Sequence, residues 1–209
     1  MKHFIILPAL FIYLLSNFVS ENSIDSDASS LMYSITKGDK VIGNILVERS
    51  TKNDITEYVF ESNAKVSLLY NIEVYDKMNV VFKNNNMIQA KLYRTMNGKI
   101  KVNNVASWNG DSYSLSNIDG KNGSIKHPIL ITTASLYFFE PSDITSVFSE
   151  KFQKMIPIKR IGYRRYMLDL PNGNKVTYSY NNGICNLVEA DTDWASLRFV
   201  LKTNNLIKK

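Results

Sequence analysis

One cysteine, Cys185, and two histidines, His3 and His127, are all that this chain of 209 residues offers for thiol and imidazole chemistry. A lone cysteine forms no intramolecular disulfide, so a disulfide-stapled scaffold is excluded. Zinc sites draw on clusters of cysteine and histidine, and no such spacing occurs. The Gly-x-Ser-x-Gly elbow, the Gly-x-Gly-x-x-Gly turn and the phosphate-binding loop are missing, and Asp191-Thr192-Asp193 is too short a match for a calcium loop. With 9 glycines and 5 prolines the chain is neither collagen-like nor proline-rich. After residue 20 no apolar run reaches the length of a membrane span, so no transmembrane segment is expected there. What is present is 44% apolar residues, 21% charged residues and an ample set of aromatics, 10 Phe, 12 Tyr and 2 Trp. That composition excludes a disordered chain and supplies the core of one globular domain.

The first 20 residues have the three parts of a signal peptide: the basic Met1-Lys2-His3, an apolar stretch from Phe4 to Leu15, and the polar exit Ser16 to Ser20. Cleavage is expected near Ser20 to Ser23, with export to the periplasm or the extracellular space. Phe18 stands where a cleavage site prefers a small residue, which leaves an uncleaved N-terminal anchor as the alternative. No cysteine near residue 20 is available for lipid attachment. Residues 21–30 are polar and without period and read as a flexible leader. A single β-rich domain is expected over 31–203, followed by a polar tail at 204–209.

Within that domain the dominant signal has period two. It is clearest in Val66, Leu68, Tyr70, Ile72 and Val74, which reads as one long strand with one buried face. Shorter alternations occur around Tyr33, Ala90, Leu168, Tyr178 and from Trp194 to Leu201. Between them lie Gly38-Asp39, Asn84-Asn85-Asn86, Asn97-Gly98, Asn109-Gly110, Asp119-Gly120, Asn172-Gly173 and Asn182-Gly183. Asn-Gly favours the positive φ angles of a type I′ turn, whose twist matches the strands it joins. The fold class is therefore mainly β: an antiparallel meander of about nine to eleven strands, too many for one flat layer, curled into a barrel or half-barrel. One short helix is expected over Ser142 to Met155, where Ile144, Val147, Phe148, Phe152 and Met155 fall at helical spacing; a strand from Ser146 to Phe152 is the alternative. Pro128 to Phe139 carries no charge and should be buried, in a conformation that its periodicity leaves open.

For catalysis the residues are poor. His127 alone is left as an imidazole base after signal removal, and it precedes Pro128 in a loop, where an exposed or structural histidine is the plain expectation. Cys185, in a strand-like context, reads as a small buried residue. Carboxylate-pair hydrolysis needs only two acids across a cleft, so Glu140, Asp143 and Glu150 near the buried stretch are noted, although solvated or helix-capping carboxylates are the commoner case. No catalytic residue, metal or cofactor is expected.

Charge and aromatics carry the remaining signals. The chain is +6; Lys2 is the one charge in the first 20 residues, which leaves +5. Lys151, Lys154, Lys159, Arg160, Arg164 and Arg165 against Glu150 account for all of that +5, so one segment makes the protein basic. Lys159, Arg160, Arg164 and Arg165 are expected to form a basic surface patch, either merely solvated or facing an anionic envelope surface. Nucleic acid is not an expected partner. Tyr70, Tyr93, Trp108 and Tyr137 are candidates to line an apolar cavity for a lipid or amphipathic small molecule, the alternative being that they are simply core.

Several stretches, Met32 to Ile45, Thr132 to Pro141, Val147 to Glu150 and Tyr166 through Leu201, together resemble exported domain-of-unknown-function families of bacterial envelopes, particularly a group in Bacteroidota. That resemblance implies an exported β-rich protein akin in shape to periplasmic lipoprotein carriers, and it brings no catalytic residue with it. The function expected is a non-enzymatic binding module of the cell envelope. A structural or protein-interaction domain without a cavity is the alternative, and a carboxylate-based hydrolase a second one.

Overall fold

The computed structural model of the chain describes residues 26–67, 71–192 and 195–206. The expected signal peptide and Tyr70 lie outside them. The elements are β1 (Ser26–Lys37), β2 (Lys40–Lys52), β3 (Ile55–Ser67), β4 (Asn71–Lys83), β5 (Asn86–Met96), β6 (Lys99–Trp108), β7 (Tyr113–Ser116) and β8 (Gly123–Ile125). A 3-10 turn at Ser135–Tyr137 follows, and then β9 (Ser146–Ser149), β10 (Lys154–Gly162), β11 (Arg165–Asp169), β12 (Lys175–Asn181), β13 (Ile184–Thr192) and β14 (Ala195–Leu206). All 14 strands form one antiparallel sheet in the order β8-β7-β6-β5-β4-β3-β2-β1-β14-β13-β12-β11-β10-β9. Two meanders are thus joined where the first and last strands pair, Ile35 opposite Phe199 and Leu31 opposite Asn204. The sheet curls without closing, since its edges β8 and β9 do not pair with each other.

The local chemistry of the hairpins is that of the turns expected. At Asn97-Gly98 and Asn182-Gly183 both residues have positive φ, and Asn84 and Asn85 adopt the same geometry without a glycine because asparagine tolerates it. Register then places apolar residues on one face. Leu31, Val47, Phe60, Met78, Leu92 and Asn104 stand opposite one another in successive strands, and directly paired residues share a face. Tyr166, Tyr178, Val188 and Phe199 form a matching row in the second meander.

Four expectations are corrected. The single long strand through Val66 and Val74 is two: β3 ends at Ser67, β4 begins at Asn71, and Val66 pairs with Ile72. A hairpin that sets residues of equal parity opposite each other carries a period-two pattern across its turn unbroken, so alternation alone does not reveal the reversal. The helix over Ser142 to Met155 is instead the β9–β10 hairpin, with Phe148 opposite Met155 and Val147 opposite Ile156. There Val147 packs into one apolar cluster and its neighbour Phe148 into the other, so β9 is covered on both faces and its consecutive buried residues mimic helical spacing. The 3-10 turn is the one helical element among the described residues. The domain also reaches further than 31–203: Ser26 pairs with Lys52 within the expected leader, and β14 runs on to Leu206 within the expected tail. The strand count exceeds the nine to eleven expected because β7, β8 and β9, at or next to the edges and three or four residues each, are too short to show a period.

The uncharged stretch Pro128 to Phe139 fills the concave side of the sheet. Ile129, Ala134 and Leu136 are wholly buried, and Ile131 and Tyr137 nearly so, whereas Pro128, Leu130 and Phe139, expected to be buried with them, are exposed. A buried irregular segment must find partners for its own amides and carbonyls. Here the Met87 N–H donates to the Ile129 carbonyl at 2.8 Å, the Phe148 N–H to Ile131 at 3.0 Å, and the Thr133 N–H to Phe148 at 2.9 Å. Side chains meet others: the Ile129 N–H donates to the Tyr113 hydroxyl at 3.1 Å, and the Tyr180 hydroxyl donates to the Leu136 carbonyl at 2.9 Å. The turn after β9 is clasped to the far side of the curl. Asn104 Nδ2 donates to the carbonyls of Glu150 and Lys151, and Gln153 Nε2 donates to those of Val105 and Ser116. Side-chain amides therefore hold together what the strand ladder leaves open.

Candidate functional site

The four candidate aromatics do not meet. Tyr137 lies at the centre of one cluster, its ring 5.3 Å from Tyr33, 5.7 Å from Phe60 and 6.3 Å from Tyr178. Tyr93 is half-buried on β5, following Leu92, which belongs to the other cluster. Trp108 packs its ring 4.8 Å from Tyr113 against that second cluster. Tyr70 lies outside the described residues. Two hollows lie on the described surface, and both open to solvent. One, of about 370 Å³, runs over β1–β3 beside Ser30, Glu48, Ser50, Glu57 and Val59. The other, of about 310 Å³, has Trp108 on its wall with Lys83, Asn84, Asn86 and Pro128. Neither reaches the aromatic centre around Tyr137.

The four candidate cations share the region of β10 and β11, but acids from β11, β13 and the segment before β9 meet most of them. Lys159 Nζ is 3.0 Å from Asp169, Arg165 Nη2 is 3.2 Å from Glu189, and Arg164 Nε is 4.0 Å from Glu140. Arg160 Nε donates to the Gly162 carbonyl at 3.2 Å. The Lys159 and Arg165 pairs are solvent-exposed and contribute little to stability, while the longer Arg164–Glu140 pair is partly buried; together they cancel much of the local field.

Three carboxylates near the buried stretch have separate tasks. Asp143 is exposed and accepts from the Ser142 hydroxyl at 3.1 Å. Glu140, half-buried, accepts from the Tyr166 hydroxyl at 3.0 Å. Glu150 is only 2% exposed; its carboxylate accepts from the Thr133 hydroxyl and, at 3.2 Å, from the Ala134 N–H. Burial pushes the Glu150 carboxyl above the usual carboxylate range, and the bonds from Thr133 and Ala134 pull it part of the way back. The folded state therefore holds the Glu150 proton more tightly than the unfolded chain does. The stability this contributes is fully present below the ordinary value of 4.5 and is lost as pH rises through the folded value. Glu150→Gln, neutral at every pH, is expected to gain stability relative to the natural chain as pH rises above 4.5, read by urea unfolding at a series of pH values. A difference constant with pH would contradict this account of the site.

The remaining reactive groups stand apart. His127 is exposed. Cys185 is fully buried, and burial pushes its thiol up to about 12, so it is protonated and unreactive at neutral pH. The Tyr33 hydroxyl donates to the Cys185 carbonyl at 2.6 Å. Among the described residues no three of His, Cys, Asp and Glu come together in a way that could hold a metal ion.

One inward-facing polar group escaped the sequence reading. Asp76, 7% exposed, takes a two-pronged contact from Arg94 and a bond from the Ser62 hydroxyl at 3.3 Å. Ser62, Asp76 and Arg94 are direct cross-strand partners on β3, β4 and β5. Their positions 14 and 18 residues apart give no local sequence signal, and the pairing appears only once the register is known.

A family of domains described as of unknown function, DUF6134, matches residues 33–202. The chain belongs to the DUF6134 family. That span begins at the buried Tyr33 of β1 and ends within β14, so it takes in both meanders of this DUF6134 domain and the segment they enclose. The fold is also similar to a solved β-barrel-like protein of the domain of unknown function DUF1849 from Brucella abortus, with a TM-score of 0.58 over 88% of this chain and 99% of that one. At 11% identity the likeness is one of fold alone. None of the curated proteins is similar to the chain.

Proposed function

We propose that this domain is an exported, non-enzymatic interaction domain that works from its outer surface and holds no ligand inside. The observation that carries this reading is the filling of the curl by Pro128 to Phe139, with Leu136 and Tyr137 packed among Tyr33, Tyr178 and Tyr180. A module that shelters an apolar ligand, as the likeness to lipoprotein carriers implied, needs a hollow where those side chains stand. The export half of the reading rests on the basic, apolar and polar parts of residues 1–20. The non-enzymatic half is supported by the isolation of His127 and the inert thiol of Cys185.

Native mass spectrometry of the protein purified from its own source is the test. The expected spectrum is the polypeptide mass alone, and a lipid retained at one copy per chain would overturn the reading. His127→Ala is expected to change stability by no more than about 0.5 kcal/mol, as exposed substitutions do. A hydrolytic activity that vanished in that variant, with its melting temperature unchanged, would show that the domain is an enzyme.

A further inference from the structure

We infer that the solvent-open hollow beside Trp108 is a binding site for a neutral oligosaccharide, built from an aromatic wall and two asparagine amides. This inference names a ligand for the outer-surface reading above and rests on it. The hollow lies between the β4–β5 turn, the end of β6 and Pro128, and every residue on its wall is described. At about 310 Å³ it falls at the small end of ligand sites, about 300–1,000 Å³, a size that suits a sugar ring or two. Its frame is fixed by hydrogen bonds. The Met87 N–H donates to the Ile129 carbonyl at 2.8 Å, the Tyr113 hydroxyl donates to the Met87 carbonyl at 2.6 Å, and the Ile129 N–H donates to the Tyr113 hydroxyl at 3.1 Å. The Trp108 ring stands 4.8 Å from that of Tyr113, and the turn after it is set by Asn109, whose Oδ1 accepts from the N–H groups of Asp111 and Ser112. On the opposite wall Asn84 holds the positive φ of its turn, and Asn86 Nδ2 donates to the Asn84 carbonyl at 3.2 Å. A wall that is already ordered loses little freedom on binding.

The residue types on the wall select the ligand. A pyranose ring presents carbon-bound hydrogens on its face and, around its rim, hydroxyls that each donate and accept. An aromatic ring suits the first, and a side-chain amide, which carries donors and an acceptor together, suits the second. Among the described residues the Trp108 indole N–H and the Asn84 side-chain amide make no hydrogen bond, so both remain available to a ligand. Lys83 is the one charged residue on the wall; the exposed Asp54, Asp111, Lys126 and His127 are near it in the chain or in adjoining turns but do not line it. A wall with no carboxylate and a single lysine fits a neutral ligand. A peptide added as a further strand is excluded here, because β5 pairs with β4 on one side and β6 on the other, and the N–H and carbonyl of Met87 are both taken. The hollow over β1–β3 differs in kind: it has Glu48 and Glu57 on its wall and no aromatic ring.

Titration calorimetry of the purified protein with chitotetraose, cellotetraose, laminaritetraose and maltotetraose tests this. At least one of the four should bind saturably at one copy per chain and shift the tryptophan emission of the natural protein. Trp108→Ala should weaken that binding by at least about tenfold, as loss of an aromatic anchor does, and Trp108→Phe should abolish the emission shift while keeping part of the affinity. Asn84→Gly, which tolerates the positive φ, and Asn86→Ala should each weaken it about three- to tenfold, the worth of a neutral hydrogen bond. Ser50→Ala, in the other hollow, should leave it unchanged. Asn84 and Asn86 are exposed, so the test stands even if Trp108→Ala fails to fold, and thermal melts show which variants are folded. The inference is overturned if none of the four sugars binds, if the Trp108, Asn84 and Asn86 variants bind as the natural protein does, or if a poly-L-proline peptide binds at Trp108 and the sugars do not, which would assign the hollow to a peptide. A lipid found inside the protein by mass spectrometry would overturn the outer-surface reading and leave the calorimetric result standing, so the two failures are distinct.

Discussion

Tyr137→Ala is expected to destabilise the domain by about 4 kcal/mol, as large-to-small aromatic substitutions in a close-packed core do. Tyr137 is 5% exposed, and its ring meets Tyr33 and Tyr178 edge-on and Phe60 at a tilt. These residues come from β1, β12 and β3, so its removal leaves a void between the two meanders that neither can fill by moving alone. Edge-on aromatic pairs add a further increment beyond buried area. If the curl were instead an empty, ligand-ready hollow, truncating one wall residue would enlarge a space already present and cost little. Urea unfolding separates the two cases: the midpoint should fall steeply with the slope unchanged. A shift worth less than about 1 kcal/mol would mean that Tyr137 does not sit in a packed interior.

Gly43→Ala is expected to cost about 3 kcal/mol or more, although it adds a single methyl group. A Cβ at Gly43 would stand 2.1 Å from the Asn63 carbonyl oxygen and 2.7 Å from the Ala64 Cα. Both are backbone atoms of the paired strand β3, so no side-chain rotation relieves the clash and the strands must part. The site sits opposite Ile35, where the β1–β2 register shifts by a bulge. Bulges and close backbone approach are places where only a missing side chain fits. Gly123→Ala is the control: a Cβ there meets only the Leu115 side chain, at an ordinary 3.5 Å, and stability should change by less than about 0.5 kcal/mol. Thermal melts of the two variants read the difference, and equal melting temperatures would contradict the close approach.

Much of the fold was legible because its turns announce themselves. Asn97-Gly98 and Asn182-Gly183 adopt the positive φ that this dipeptide favours, and such turn residues between alternating apolar runs located most hairpins. The reversal between Ser67 and Asn71 was hidden because the pairing of Val66 with Ile72 preserves parity. The helix expected near Phe148 reflects the limit of periodicity for a strand covered on both sides. Lack of charge pointed to burial of most of Pro128 to Phe139, though not to the exposure of Leu130 and Phe139, and it did not give the route, since the partners that fix the segment, Met87, Tyr113, Glu150 and Tyr180, lie elsewhere in the chain. The surface was least legible. Net charge identified Lys159 to Arg165 as the basic segment, whereas Asp169, Glu189 and Glu140 fold back onto Lys159, Arg165 and Arg164. Linear charge counting does not see pairing across strands.

Amide hydrogen exchange across residues 128–150 tests most directly whether the interior is closed. The N–H groups of Ile129, Thr133, Ala134 and Phe148 all donate within the enclosed segment or to its neighbours. If Pro128 to Phe139 is a fixed part of the core, those amides should exchange only through global unfolding, as slowly as the amides at the centre of β1 and as sensitively to denaturant. Exchange of the same amides at the rate of an open loop, while β1 stays protected, would show that the segment leaves the curl readily, and would contradict the account of a domain filled by its own chain.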